Sequence, residues 1–166
     1  MLSALCMAWS TISSVNDHIK SWLFVSAQAL LLVLLVFLSN SNAAPIRSVE
    51  LTGKFIEFTG IIILLISFYD LRKSLTALPL PKENGVLQIR GLYKYVRHPM
   101  YVGVLILSLG IAVSSGSVIK YLLVLALYIL FSFKARYEEK LLLAKYPGYK
   151  AYMRRTHRFI PTMPKN

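Results

Sequence analysis

The chain has 166 residues, 19 Lys and Arg against 7 Asp and Glu, and a net charge of +12; 56% of its residues are hydrophobic. That length argues for one domain, and the apolar share exceeds that of an ordinary soluble domain. The single cysteine, Cys6, excludes an intramolecular disulfide and a Cys-based zinc cluster.

The opening MLSALCMAWS carries no Lys or Arg, so it reads as a retained N-terminus and not as a cleaved signal peptide. Ser21 to Leu38 runs for eighteen residues without a charge and is the first expected span. The second covers Leu51–Leu71, with GIIILLISFY at its centre. Glu57 falls about one turn inside it. A carboxylate there is either functional or paired with Lys54 near the interface, and the depth favours the pair. The third span runs from Pro99 to Ser114 and the fourth from Ile119 to Phe133. The intervening SSGS, residues 114–117, is a turn signal. The last two spans have about fifteen residues each, or roughly 22 Å at helical rise. They form a short hairpin, with Lys120 reaching back to the far interface.

The expected fold is therefore all-α: a polytopic membrane helical bundle with about four transmembrane helices, a C-terminal helical hairpin and an amphipathic cytoplasmic tail. It is treated as a single membrane domain over 1–166, with a two-span region at 1–77 and a further region at 78–166. In a soluble protein the excess of positive charge would point to nucleic acid; here it is distributed as in a membrane protein. Arg72, Lys73, Lys82, Arg90, Lys94 and Arg97 lie between spans two and three, and nine more follow span four, against Arg47, Lys54 and Lys120 opposite. The positive-inside rule puts loop 72–98 and the tail in the cytoplasm.

In that loop Pro79 and Pro81 prevent a continuous helix, and Glu83-Asn84-Gly85 reads as a turn. Pro99 suits the first turn of span three. His98 then stands at a helix mouth that favours an anionic group. In the tail, Lys134 to Lys145 continue span four as a helix. The adjacent Glu138 and Glu139 point about 100° apart, so one of them at most readily faces a pocket. Pro147-Gly148 breaks the helix, and Tyr149, Tyr152 and Met153 make a short apolar face suited to the membrane surface. These groups can bind a ligand: Arg97 a carboxylate, Glu138 an amine or hydroxyls, the tyrosines a ring or a sulfonium. The same residues can equally be a topology charge, a cap, offsets for neighbouring cations and an aromatic belt.

Gly91-Leu92-Tyr93, then Val96-Arg97-His98-Pro99-Met100-Tyr101-Val102-Gly103, then Arg136-x-Glu138-Glu139, and Tyr146-Pro147-Gly148-Tyr149-x-x-Tyr152 with Arg158-Phe159-Ile160-Pro161 stand in this order along the chain. This pattern resembles the isoprenylcysteine carboxyl methyltransferase family, integral membrane enzymes that use S-adenosylmethionine and are related to phospholipid methyltransferases. The resemblance covers about Leu78 to Pro161. It implies cofactor contacts from Gly85, Val86, Leu87, Gln88, Tyr93, His98, Pro99, Met100, Tyr101 and Glu138. It implies a basic residue beside the substrate carboxylate, with Arg136 the first choice and Lys134 the second. For an amine acceptor a base is needed, and Glu139 and His98 are the candidates. The implied partners are membrane lipid and a lipophilic or lipid-modified substrate, with neither nucleic acid nor metal. A phospholipid or small-amine N-methyltransferase, a membrane reductase related to sterol reductases, and a non-catalytic membrane protein are the competing readings.

Overall fold

The computed structural model describes residues 2–38, 46–72 and 87–162, with side chains from residue 16 onward. The expected breaks at Pro79 and Pro81, the turn at residues 83–85, and the site candidates Gly85 and Val86 lie outside the described residues, as does the boundary at 77/78.

Among the described residues the protein is all-helical. Its helices are α1 (Leu2–Phe37), α2 (Arg47–Leu71), α3 (Pro99–Ser115), α4 (Val118–Lys145) and α5 (Tyr149–Arg155), with a 3-10 turn at Gly91–Lys94. Helix α1 begins well before the apolar stretch at Ser21, so its hydrophobic run is only the later part of one long helix. Helix α4 continues past Phe133 without a break, as the tail sequence leads one to expect. Among the described residues, three segments are long and apolar enough to cross a membrane: Asn16–Phe37, Arg47–Leu71 and Val118–Lys145. Helix α3 is shorter, at 17 residues, or about 25 Å. It closes on Gly116, whose φ of 63° supplies the left-handed C-cap.

The packing suits lipid as the solvent. Phe55, Phe58 and Leu65 point outward from α2 and are exposed, while its buried positions are Gly53, Gly60 and Ser67. Large apolar side chains face the surroundings, and small residues let backbones approach. A Cβ added to Gly60 would stand 2.5 Å from the backbone nitrogen of Leu107 on α3. The antiparallel α2–α3 pair therefore depends on hydrogen at that position. Glu57 lies in the same contact. It pairs with Lys54 at 3.0 Å and accepts a hydrogen bond from Ser114 Oγ at 2.7 Å, so the paired reading of this carboxylate holds.

Helix α1 lies along α4 in the opposite direction. The Tyr137 hydroxyl donates to the carbonyl of Asp17 at 3.3 Å, and Gln28 meets Lys134 further along. The C-terminal ends of α2 and α4, the start of α3 and Asp17 of α1 consequently share one end of the bundle.

Candidate functional site

Two backbone devices shape that end. Asp70, in the last turn of α2, accepts a hydrogen bond from the Leu92 N–H at 2.9 Å. The turn approaches Asp70 so closely at Gly91, with φ +62°, that any Cβ would collide with the carboxylate. The segment after α5 then returns beside the turn. Arg97 N–H donates to the carbonyl of His157 at 2.9 Å and His98 N–H to that of Arg158 at 3.2 Å, with Thr162 N–H reaching Tyr95 at 3.0 Å. The tail thus straps the entry to α3.

His98 occupies the N-cap position of α3 but makes no side-chain cap. Its ring bridges the acidic pair instead: Nδ1 is 3.4 Å from Glu138 and Nε2 is 3.2 Å from Glu139. The two carboxylates diverge along α4, as helical geometry requires. A ring with nitrogens on two edges spans the gap, so both glutamates face inward. Burial acts to lower the His98 pKa; hydrogen bonds to Glu138 and Glu139 outweigh it, and the net shift is upward.

The two glutamates have different surroundings. Glu139, 3% exposed, accepts from Arg97 Nε at 2.9 Å and from both Arg158 Nε, at 3.1 Å, and Arg158 Nη2. Arg97 also donates to the carbonyls of Met153 and Thr156. Arg97 is therefore consumed as a structural tie, and Arg158 is held protonated by its hydrogen bond to Glu139. Glu138 is more open, with a side-chain exposure of 18%; it takes a hydrogen bond from the Tyr101 hydroxyl. The Tyr101 ring stacks with His98, at 5.3 Å, and with Phe131, at 4.5 Å.

The other expected site residues divide. Tyr93 is buried, which drives its hydroxyl pKa up, and its carbonyl accepts from the Tyr152 hydroxyl at 2.6 Å. Pro99 is buried at the start of α3 and Met100 is half-buried beside it. Leu87 and Gln88 are half-buried ahead of the 3-10 turn. Lys134 is buried, with its Nζ 5.2 Å from the Tyr101 ring centroid. Arg136 is exposed and lies over Phe133, 5.8 Å from the ring centroid, away from the His98 cluster. The apolar face of α5 turns inward: Tyr149 is 2% exposed, and burial pushes the Tyr152 pKa up to about 12. Packing against the turn competes successfully with the membrane surface for this face, which corrects the surface placement. A hollow of ≈380 Å³ between Leu87, Ile89 and α5 is also lined by Lys94, Tyr152, Arg155 and Thr156, but by none of His98, Tyr101 or Glu138.

Sequence reasoning assigned no role to Asp70, Gln28, Phe131 or Arg158. Gln28 had a signal, being the lone amide in an uncharged run. Asp70 had a weaker one, as the acid that ends a span before Arg72-Lys73.

Residues 48–148 match a family model described as phospholipid methyltransferase. No curated protein matches the chain.

Proposed function

The chain belongs to the phospholipid methyltransferase family, and from that premise we propose that it transfers a methyl group from S-adenosylmethionine to a lipophilic acceptor at the membrane. The observation that carries this reading is His98 meeting both Glu138 and Glu139. That contact closes the loop before α3 onto the acidic pair of α4. These are the two stretches in which the resemblance places the cofactor residues.

The donor set fits such a cofactor. Glu138 offers an acceptor for an ammonium or for ribose hydroxyls, and stacked aromatic faces beside a carboxylate suit a sulfonium. When bound, S-adenosylmethionine supplies an electrophilic methyl group. Leu87, Gln88, Tyr93, Pro99 and Met100, like Gly85 and Val86, keep the cofactor role implied by the resemblance. Lys134, inside the bundle, takes the acceptor-orienting role in preference to Arg136.

The hydrogen-bond pattern favours a carboxylate acceptor. A carboxylate acceptor would take the methyl group through an oxygen lone pair, with no proton to lose, so Lys134 would need only to orient it. The protein then contributes approach geometry and water exclusion. An amine must lose a proton to a base, yet Glu139 is held by two arginines and the ring nitrogens of His98 are both occupied by carboxylates. A phospholipid amine is the second reading, favoured by the family match itself; Glu138 is then the remaining base.

The bundle crosses the bilayer four times, with α3 as the short span. The end bearing loop 72–98 and the C-terminal tail is cytoplasmic by its excess of basic residues. Residues 78–166 form the catalytic region, supported by the two-span region 1–77.

Purified protein in nanodiscs tests the reading. Calorimetric titration with S-adenosylhomocysteine is expected to show binding that weakens about tenfold or more in Glu138→Gln, the loss of a charged hydrogen bond. Labelled methyl is expected in the lipid extract. Absence of binding by folded wild-type protein, or binding of a nicotinamide cofactor in its place, overturns it.

A further inference from the structure

Lys134 projects from α4 into the bundle and is 6% exposed. Its Nζ donates to Gln28 Oε1 of α1 at 2.8 Å and stands over the Tyr101 ring at 5.2 Å. Among the described residues its ammonium has no carboxylate within salt-bridge distance. Glu138, one turn along the same helix, is engaged by Tyr101 and His98. Buried ammonium groups are ordinarily paired, because desolvation of an unpaired charge is costly. An amide oxygen and a ring face orient this one, while Glu138 acts on it from beyond salt-bridge distance. An ammonium has three donors, so it retains capacity for an anionic oxygen.

Gln28 is the neutral group in direct hydrogen-bond contact with this ammonium. It lies in the apolar segment Asn16–Phe37, outside the matched residues 48–148. A glutamate is the same length, and in that place it would form an ion pair with Lys134. We propose that Gln28 is a specificity-determining residue: it stands as a neutral partner where a carboxylate would neutralise Lys134, and so reserves the ammonium for the anionic group of a lipophilic ligand at the α1–α4 contact. The ligand class is an amphiphile bearing a carboxylate or a phosphate. This deepens the proposed function and rests on its reading of the acceptor side of the site.

The test uses the full chain in nanodiscs of zwitterionic lipid, titrated with dodecanoate, dodecyl phosphate, dodecanol and inorganic phosphate. Wild-type protein is expected to bind at least one of the two anionic amphiphiles about tenfold more tightly than dodecanol, and more tightly than inorganic phosphate. The two amphiphiles distinguish a carboxylate from a phosphate ligand. Gln28→Glu is expected to abolish that preference while dodecanol affinity, S-adenosylhomocysteine affinity and melting temperature are maintained. Gln28→Met, which stays neutral, is expected to keep it. The inference is overturned by equal binding of dodecanol or inorganic phosphate, or by the same loss in Gln28→Met as in Gln28→Glu. If Gln28→Glu does not fold, retention or loss of the preference in Gln28→Met decides the matter. Failure of wild-type protein to bind S-adenosylhomocysteine counts against methyl transfer alone, since the anion titration judges Gln28 separately.

Discussion

Arg97 Nε donates to Glu139 Oε1 at 2.9 Å, between side chains only 10% and 4% exposed, and so joins the entry of α3 to α4 across 42 residues of sequence. The same carboxylate receives Arg158 from the tail and His98 from the N-cap of α3. One side chain thereby ties two separate segments, the entry of α3 and the tail, to α4 beside the more open Glu138.

Removing that carboxylate leaves Arg97 buried without its counter-charge, a change that costs about 3–5 kcal/mol for a buried pair. Glu139→Ala is expected to lower the melting temperature sharply and to loosen the tail. Arg158→Ala is expected to cost less, since that side chain is 26% exposed. Thermal melts combined with limited proteolysis after residue 146 check both outcomes; equal, small effects would contradict the hub.

The Asp70 contact gives a prediction of a different kind. Gly91→Ala introduces a Cβ into the carboxylate of Asp70 and forces an L side chain into the left-handed region. The left-handed conformation alone costs about 1–2 kcal/mol, before the collision is relieved. Asp70→Ala removes one hydrogen bond, worth roughly 1 kcal/mol, and creates no clash. Hydrogen exchange of the Leu92 amide is expected to speed up in both variants, more in Gly91→Ala. An unchanged rate in Gly91→Ala would show that the turn does not lean on α2.

His98 makes stability pH-dependent. Its pKa is raised above the ordinary 6.5: burial opposes the charge, but hydrogen bonds to Glu138 and Glu139 outweigh burial. A group with a raised folded-state pKa stabilises the fold fully below its unfolded value and loses that contribution as pH rises through the folded value. Melting temperature is therefore expected to fall above the usual histidine range. Melts of His98→Gln between about pH 6 and 9 are expected to lack this decline; an identical slope in the variant would assign it to other groups.

Much of the architecture was legible in the chain because lipid imposes a simple code. Long uncharged runs must become helices, since every backbone group has to find its partner within the segment. Pro99 and the SSGS turn then marked both ends of α3. The continuation of α4 past Phe133 was readable from the helix-compatible run up to Pro147. The start of α1 was not, because residues 2–15, though uncharged, mix their apolar residues with Ser3, Ser10, Thr11, Ser13 and Ser14, and Asp17 and Lys20 separate them from the apolar run at Ser21. The inward turn of α5 was also hidden, since Tyr149 and Tyr152 satisfy a membrane surface and a protein groove equally well by composition.

The sequence by itself determined a helical membrane protein, the residue types at one basic end, and a motif order that resembles a membrane methyltransferase. Those follow from local rules of apolar length, charge and turn chemistry. Only the tertiary structure decided that His98 joins both glutamates, that Arg97 is spent on Glu139, that Arg136 faces outward while Lys134 faces in, and that Gln28 meets Lys134. Apart from the outward turn of Arg136, each of these is a contact between segments far apart in sequence. Helix periodicity gives a side chain its direction on its own helix; only packing determines which neighbour stands there.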